Sequence, residues 1–570
     1  MRFLLLFLLF TTIQGSAQLI IRNTNIIDVE NKKILLPQDV LIENGSISAI
    51  GKNLKTTATH VIDGTGKYLL PGLVDAHVHF FQSGGLYTRP DAIDLRQSRP
   101  YKDEIEWVHN NMENFLRRYL SAGITSVIDV GSNVHFLQQR DSFLTKSYAP
   151  SIYMTGPLLT TWQPNVFRNL GDEEPFNEMK SITDARDYVN MQLQHKPDFI
   201  KIWYIALGKN VDSSARANLP MVKAVIEESH SKGLRVAVHA TERITATLAV
   251  EAGADYLVHS VDDQPVDDAF IKLLKAKKTV LCPTLIVSSG YSKTLGQTHS
   301  FASYDFKYAH PKQLNSILDM KVLDTAITNR YLNYFSDKSN IARERTQDSI
   351  MRTNLKKLVD GGVIIATGTD AGNIGTQHVS SYFDELKAMK ESGMDMWQII
   401  QASTINGSIA VGKEEEFGSI KKGRRADLLL LNNNPVERLE NLQTIDWVIN
   451  KGNPIKPDSV IRSTPEDLAD QQLAAYNAHD LEGFLAPYAE DVEIYTFPDK
   501  ISIKGKADMR KKYQFLKTTP KLYCRLLNRI VQGNIVIDHE EVWGKGDKPF
   551  YGIAIYEIKD NKISKVYFPE

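Results

Sequence analysis

Short apolar segments alternate with amphipathic helical segments over roughly 340 residues in the middle of the chain. Seven of the apolar segments have the length and composition of buried strands: residues 125–130, 151–154, 199–203, 235–240, 256–259, 279–285 and 363–367. An eighth strand ends at His79. Eight strand–helix units predict an α/β fold, a (β/α)₈ TIM barrel with insertions over residues 71–414. An open doubly wound sheet is the alternative, but a glycine-rich phosphate loop does not follow the first strand.

Segments rich in β-forming residues lie on both sides of this central region. Residues 19–21 and 40–42 are short β-rich runs, and Asn44-Gly45 is a hairpin signal. Residues 426–431 and 447–450 have the same character. We expect residues 18–70 and 415–455 to pair as one composite β-sandwich. The polar helical segment 312–357 is expected to be a lid or a surface insertion.

The N-terminus and the composition limit the function classes. Met1 and Arg2 precede a short apolar run and Gly15-Ser16-Ala17, which predicts a signal peptide over residues 1–17, with a buried first strand as the alternative. We therefore expect an exported protein, periplasmic or extracellular, without a stable membrane anchor. The net charge of −1 argues against a nucleic-acid partner. Two cysteines are too few for a disulfide scaffold or a cysteine-rich zinc module.

Polar residues with metal-ligand chemistry follow several predicted strands. Asp75-Ala76-His77-Val78-His79 ends the first strand, and alternate residues of a strand share a face, so His77 and His79 project together. Two imidazoles on one wall are half of a metal site. Later strands carry four more candidates in chain order: Lys201, His239, His259 and Asp370. Strand ends at one barrel face are where such enzymes carry their catalytic groups.

This ordered set resembles the metal-dependent amidohydrolase superfamily, in its imidazolonepropionase-like branch. The matching motifs include residues 71–79, Thr367-Gly368-Thr369-Asp370 and residues 418–428. The resemblance implies that His77, His79 and Asp370 bind one metal ion and that His239 and His259 bind a second. It also implies that Lys201, carboxylated by carbon dioxide, bridges the two ions as a carbamate. A buried lysine is costly while charged, and the carbamate would turn it into an oxygen ligand.

The implied chemistry is hydrolysis of a carbon–nitrogen bond in a small substrate such as a dipeptide or an N-acyl amino acid. Two divalent ions would generate a bridging hydroxide, and Asp370 would pass its proton to the leaving nitrogen. Mixed histidine and carboxylate ligands suit Zn²⁺ first, with Mn²⁺ or Fe²⁺ as alternatives. A rival reading makes Glu242 the proton-handling residue of a single-metal deaminase or cyclic-imide or imidazolone hydrolase. A third alternative is a non-catalytic binding or scaffold protein.

Substrate contacts and the C-terminal region give weaker signals. Tyr204, Trp162 and His378 lie in segments expected at the barrel mouth, and Asp262 and Asp263 are candidates to orient a metal-bound histidine. Residues 462–570 resemble the SnoaL-like group of the nuclear transport factor two fold, an α+β cone. Its pocket would be lined from a set of five residues: Tyr476, Tyr495, Asp538, Glu540 and Trp543. We expect this domain to serve assembly, including homo-oligomer formation, or ligand binding. We also expect a chain ending near Asp458 to fold and retain activity.

Overall fold

The computed structural model describes residues 18–546 and 548–569. The predicted signal peptide lies outside these residues. Within them, none of the helices combines the length and the apolar character needed to cross a membrane.

The chain begins with five strands that form most of a mixed sheet. They are β1 (Leu19–Asp28), β2 (Lys33–Glu43), β3 (Ser46–Gly51), β4 (His60–Asp63) and β5 (Tyr68–Pro71). Asn44 and Gly45 connect β2 and β3 with positive φ angles, as the hairpin signal predicts.

Nine strands belong to the central region. They are β6 (Leu73–Val78), β7 (Ile124–Asp129), β8 (Ser151–Met154), β9 (Leu158–Thr160), β10 (Phe176–Glu178), β11 (Ile200–Trp203), β12 (Val236–His239), β13 (Tyr256–Val258) and β14 (Val280–Cys282). Fourteen helices accompany them: α1 (Tyr101–Ser121), α2 (Val134–Arg140), α3 (Ile182–Leu193), α4 (Val211–Ser231), α5 (Arg243–Ala252), α6 (Asp268–Lys277), α7 (Val287–Leu295), α8 (Ser303–Tyr308), α9 (Pro311–Ser316), α10 (Thr325–Ser336), α11 (Lys338–Asp360), α12 (Ser381–Glu391), α13 (Met396–Ala402) and α14 (Ile405–Ala410).

The barrel prediction is confirmed. Strands β6, β7 and β8 pair in parallel, as do β9, β11, β12, β13 and β14, with β10 added at the edge of β9. Residues 363–367 occupy the eighth position, where Ala366 N donates to Leu281 O at 2.9 Å and Ala76 N donates to Thr367 O at 2.8 Å. The segment therefore connects the last strand to the first and closes the barrel, although it forms only an isolated bridge.

The two β-rich flanks form one eight-stranded sheet. The second flank supplies β15 (Leu428–Leu431), β16 (Ile445–Asn450) and β17 (Asn453–Ile455), followed by α15 (Pro457–Val460). Strand β15 pairs antiparallel with β5, with Leu429 opposite Leu70. Fully buried apolar side chains from both flanks pack in one cluster, so neither flank completes its core alone.

The C-terminal region is an α+β domain of three helices and six strands. These are α16 (Pro465–Asn477), α17 (Leu481–Leu485), β18 (Tyr488–Thr496), β19 (Lys500–Lys504), α18 (Lys506–Lys512), β20 (Tyr523–Gln532), β21 (Ile535–Trp543), β22 (Phe550–Lys559) and β23 (Lys562–Phe568). Helix α16 starts at Pro465, because Thr464 and Asp467 form a capping box around this residue.

A cavity of about 290 Å³ opens between the helices and the sheet of this domain. Tyr476 and Glu540 line it, as expected. The other three residues expected to line the cavity do not line it. Tyr495 stacks on Tyr567, Asp538 pairs with Arg529 at 2.6 Å, and Trp543 is largely outside the core.

The segment predicted as a lid or surface insertion lies partly between the barrel and the C-terminal domain. Leu314 in α9 shares a buried apolar cluster with α16 and the C-terminal sheet, as does Phe306 in α8, just before the predicted segment. The half-buried Asp319 carboxylate accepts hydrogen bonds from Tyr87 of the barrel at 2.9 Å and from Tyr523 of β20 at 2.7 Å. This part of the insertion is thus an interdomain contact.

Candidate metal centre

Three of the predicted ligands meet at the carboxyl end of β6. His77 Nε2 lies 3.0 Å from Asp370 Oδ1, and His79 Nε2 lies 3.1 Å from the same oxygen. The two Nε2 atoms are 3.2 Å apart. The period of two in β6 places both imidazoles on the inner face of the barrel, and Asp370 follows the eighth barrel segment. These residues form a compact donor set around one point.

The protonation pattern of this trio fits a cation. His79 Nδ1 lies 2.7 Å from the carbonyl oxygen of Gly131, which can only accept a hydrogen bond, so Nδ1 carries the proton and Nε2 presents a lone pair. That lone pair faces Asp370 Oδ1, which accepts no hydrogen bond from any residue that the structure describes. A divalent ion between the atoms would satisfy them, and imidazole with carboxylate suits Zn²⁺ or a similar ion.

The other three predicted ligands line the same end of the barrel. His239 ends β12 and His259 follows β13, and their ring centroids are 4.4 Å apart. The His259 ring lies 4.9 Å from the His77 ring, which connects this pair to the first three donors. Lys201 is in β11, next to β12, and is 1% exposed. The structure therefore brings all six predicted ligands to one inner face.

Burial controls the charge of the lysine. Loss of water around Lys201 lowers the pKa of its ammonium to about 7, although the nearby Asp370 carboxylate opposes the shift. A lysine with this pKa is substantially neutral near pH 7. The neutral amine is the form that reacts with carbon dioxide, so the environment favours the carbamate chemistry that the resemblance implies.

Backbone strain marks two of the donors. His259 and Asp370 have φ angles of 78° and 61°, in the left-handed region that side chains other than glycine rarely adopt. Both residues begin the turn after a barrel segment. The surrounding structure must stabilise these conformations, as is common where side-chain direction serves a function.

Buried partners that sequence reasoning missed orient the donors. His259 Nδ1 lies 2.8 Å from Thr284 Oγ1, and the Gly131 carbonyl holds His79. The side chain of Asn373 donates to the backbone oxygen of Asp370 at 3.0 Å. Burial raises the pKa of the Asp129 carboxyl, next to His79, to about 7. A backbone carbonyl has no sequence signature, whereas Thr284 lies near the end of the predicted strand 279–285 and could have been found there.

Three acidic candidates have hydrogen-bond partners of their own. Asp263 Oδ1 accepts from the backbone of Arg243 at 2.9 Å, and Asp262 is within 3.4 Å of the amide of Gln347. Glu242 immediately precedes α5, and its carboxylate accepts a hydrogen bond from Thr245 at 2.9 Å. The structure gives Glu242 a role at the helix start.

The three residues expected to contact the substrate lie in different environments. The Tyr204 hydroxyl donates to the carbonyl of Ala215 inside the core. His378 is buried, with its two ring nitrogens 3.0 Å from Tyr119 Oη and 2.8 Å from the Gln82 carbonyl. Burial lowers the pKa of His378 to about 4. Trp162 is 40% exposed, and its ring packs against Trp203, which contacts His239. Of the three, Trp162 is the exposed one, and its ring connects to the donor His239 through Trp203.

Comparisons with known proteins agree with this architecture. Residues 68–456 match the model of the amidohydrolase family, and residues 469–566 match the SnoaL-like domain. An imidazolonepropionase of Clostridium tetani is 23% identical over 440 residues, which are 75% of this chain and 91% of that enzyme. A dihydroorotase of Halalkalibacterium halodurans is 48% identical, but over only 66 residues, 12% of this chain and 15% of that enzyme.

A solved structure shares the fold. A Xaa-Pro dipeptidase with bound methionine in its active site aligns with a TM-score of 0.57 and 22% identity, covering 77% of this chain and 100% of the dipeptidase chain. The family match covers more than half of the chain, and the donor set of His77, His79 and Asp370 argues against the alternative of a non-catalytic scaffold. The chain belongs to the amidohydrolase family and is a hydrolase of carbon–nitrogen bonds, with a SnoaL-like domain at its C-terminal end.

Proposed function

We propose that this hydrolase cleaves the amide bond of a small substrate, a dipeptide or an N-acyl amino acid, with two divalent metal ions. The observation that carries the proposal is the convergence of His77, His79 and Asp370 with Lys201 and the His239–His259 pair on one barrel face. Zn²⁺ is the ion we expect, and the carbamate of Lys201 would supply the shared ligand. The N-terminal sequence supports export, which stays part of the proposal.

Each residue has a defined task in this proposal. Divalent ions held by these donors would acidify a water molecule and polarise the substrate carbonyl. His79 keeps its Nε2 lone pair directed inward because Gly131 fixes its other nitrogen. Asp370 accepts the proton of the attacking water and delivers it to the leaving nitrogen as the amide bond breaks. The exposed Trp162 would pack against the apolar part of the substrate.

A competing function has some support. The relatives include imidazolonepropionases, so a cyclic imide or imidazolone is the rival substrate, with Glu242 as the proton-handling group. The hydrogen bond from Thr245 to Glu242 favours the amide proposal, because it engages the carboxylate at the start of α5.

Metal content and a substrate screen test the proposal together. We expect close to two transition-metal ions per chain in the purified protein, and Lys201→Ala should lose most of this metal. Bicarbonate should assist reconstitution of the wild type but not of Lys201→Ala. A panel of Xaa-Pro and other dipeptides, N-acyl amino acids and cyclic imides identifies the substrate. A single ion unaffected by Lys201→Ala, together with cyclic-imide turnover lost in Glu242→Gln, would refute the two-metal amide hydrolase.

A further inference from the structure

A second group of metal-ligating side chains lies outside the barrel interior. His109 is in the middle of α1, His135 is the second residue of α2, and Glu173 ends a short 3₁₀ helix, Gly171–Glu173. One ligand atom of each lies within 4.8 Å of the others. The main centre uses none of these residues, and nothing in their sequence spacing suggests that they meet.

The contacts within this group are close. His109 Nε2 lies 3.0 Å and 3.1 Å from the two carboxylate oxygens of Glu173. His135 Nδ1 lies 2.5 Å from Glu173 Oε1. The His109 and His135 rings stack with their centroids 3.8 Å apart, and Phe136 stacks on His109 at 3.7 Å. The carboxylate is thus enclosed by two imidazoles.

Neighbouring amides fix the orientation of two of these donors. The Gln139 side chain donates through Nε2 to the backbone oxygen of His109, so its Oε1 faces His109 Nδ1 at 2.8 Å as an acceptor. His109 Nδ1 must therefore carry a proton. Asn133 accepts from Phe136 N through Oδ1 and donates through Nδ2 to Glu173 Oε2 at 2.9 Å. Such outer hydrogen bonds are typical of metal ligands.

This orientation leaves His109 Nε2 facing a carboxylate. If the His109 imidazole is neutral, its Nε2 lone pair faces the two carboxylate oxygens of Glu173, and this arrangement is repulsive. A positive species must therefore lie between Nε2 and the carboxylate. A proton supplies this positive charge if His109 is an imidazolium. The charged His109 ring then disfavours a second positive charge on the stacked ring of His135. A divalent ion satisfies His109 Nε2, His135 Nδ1 and the carboxylate at once.

We propose that His109, His135 and Glu173 form a further divalent transition-metal site, whose two imidazoles and one carboxylate suit Zn²⁺. Zinc bonds of about 2.0–2.1 Å to nitrogen place tetrahedral ligands about 3.3 Å apart. The His135–Glu173 contact must therefore lengthen, and the His135 side chain, which is 50% exposed, can move outward. The three residues border an open groove of about 980 Å³. Three protein ligands leave a fourth position for water or a small anion from this groove.

Zinc binding to the chelator-treated protein tests the site independently of turnover. At micromolar free Zn²⁺ in equilibrium dialysis, wild type should hold one more ion per chain than His135→Ala and Glu173→Gln. His195→Ala, which changes a half-buried histidine just after α3, is the matched control and should retain the wild-type count. Anomalous scattering at the zinc edge should place the additional ion between His109, His135 and Glu173.

Two results would overturn the proposal. Equal zinc contents in wild type, His135→Ala and Glu173→Gln would show that the group is an imidazolium–carboxylate pair without metal. A lower zinc content caused by loss of scattering at His77 and His79, with no peak beside His109, would show that the substitutions act on the main centre.

Discussion

Removal of the C-terminal domain should loosen the insertion while leaving the metal centre in place. The structure moves the point of truncation, because Val460 is 4% exposed in the main core and α15 contacts α1. A chain ending at Asp458 would disrupt this contact. The chain to test therefore ends at Arg462, before the capping box of α16.

The size of the effect follows from the shared core. Phe306 and Leu314 are buried together with α16 and the C-terminal sheet. Exposing an apolar side chain of this size costs about 1.5–3 kcal/mol, so the two together cost about 3–6 kcal/mol. The loss of the Tyr523–Asp319 hydrogen bond adds to this cost. A typical domain has only about 5–15 kcal/mol of stability, so we expect α8 and α9 to open locally.

Hydrogen exchange of the truncated and full-length chains measures this opening. We expect faster exchange in residues 303–321 of the truncated chain and unchanged exchange in β6, β12 and β13, which contain or directly precede the histidine donors. Metal content should therefore survive truncation. Turnover should fall only in part, because Tyr87 loses the packing around its partner Asp319.

A polar substitution provides a sharper control. Leu314→Gln should destabilise the full-length protein, because it buries an amide in an apolar cluster. In the truncated chain the same position is exposed, and Leu314→Gln should reduce aggregation measured by light scattering. Equal destabilisation of both chains, or full exchange protection of residues 303–321 after truncation, would refute the shared-core reasoning.

Three further predictions concern single side chains. Asp370→Asn should retain part of the metal and lower kcat by about 10²–10⁴-fold, whereas Glu242→Gln should change kcat less than tenfold. Steady-state kinetics measure both effects, and the reverse order would favour the Glu242 mechanism. Thr284→Val removes the partner of His259 Nδ1 and should weaken zinc affinity by about 10–100-fold in a competition assay, and an unchanged affinity would contradict that role. Burial raises the pKa of Glu540 to about 7, so its neutral form stabilises the fold at low pH and this stability is lost as pH rises through 7. Glu540→Gln should therefore raise the unfolding midpoint relative to wild type at pH 8 more than at pH 5, and equal shifts would show that Glu540 does not titrate with folding.

The elements that the sequence predicts best are those with a simple periodic cause. Parallel barrel strands are buried on both faces, so they appear as short continuous apolar runs, and the predicted segment 125–130 is the strand Ile124–Asp129 in the structure. The ends of these apolar segments also locate the polar residues that follow the strands. The ligand candidates were visible because a barrel brings consecutive strand ends together.

Side-chain direction in loops was not predictable in this way. Tyr204 and His378 follow barrel strands, but their side chains turn into the core and bond to Ala215 and Gln82. The spacing of a loop residue from a strand does not determine its φ and ψ angles, and these angles decide which way the side chain points. The sequence therefore predicted that the ligand candidates lie at one end of the barrel, but it did not predict the directions of the Tyr204 and His378 side chains.

Contacts between residues far apart in the sequence were also not predictable. The 312–357 segment has the amphipathic pattern of a surface insertion, but a pattern does not identify what covers its apolar face. In this protein the C-terminal domain, more than 100 residues further along the chain, packs on part of this apolar face, in the cluster that contains Leu314. The Gln139–His109 pair, 30 residues apart, is another example, because only the packing of α1 against α2 brings them together.

The C-terminal domain reaches the metal centre through the loops that support it. Tyr523 donates to Asp319, and the same carboxylate accepts from Tyr87, two residues before Arg89 in the loop after β6. Arg89 donates to the side-chain oxygen of Asn373 at 2.5 Å, and Asn373 holds the backbone of Asp370. Asp370 has a strained φ angle, so the direction of its carboxylate depends on neighbours that hold the backbone in this conformation. The barrel strands and the turns after them carry the ligand candidates, and these hydrogen bonds connect the insertion and the C-terminal domain to the loop that holds Asp370.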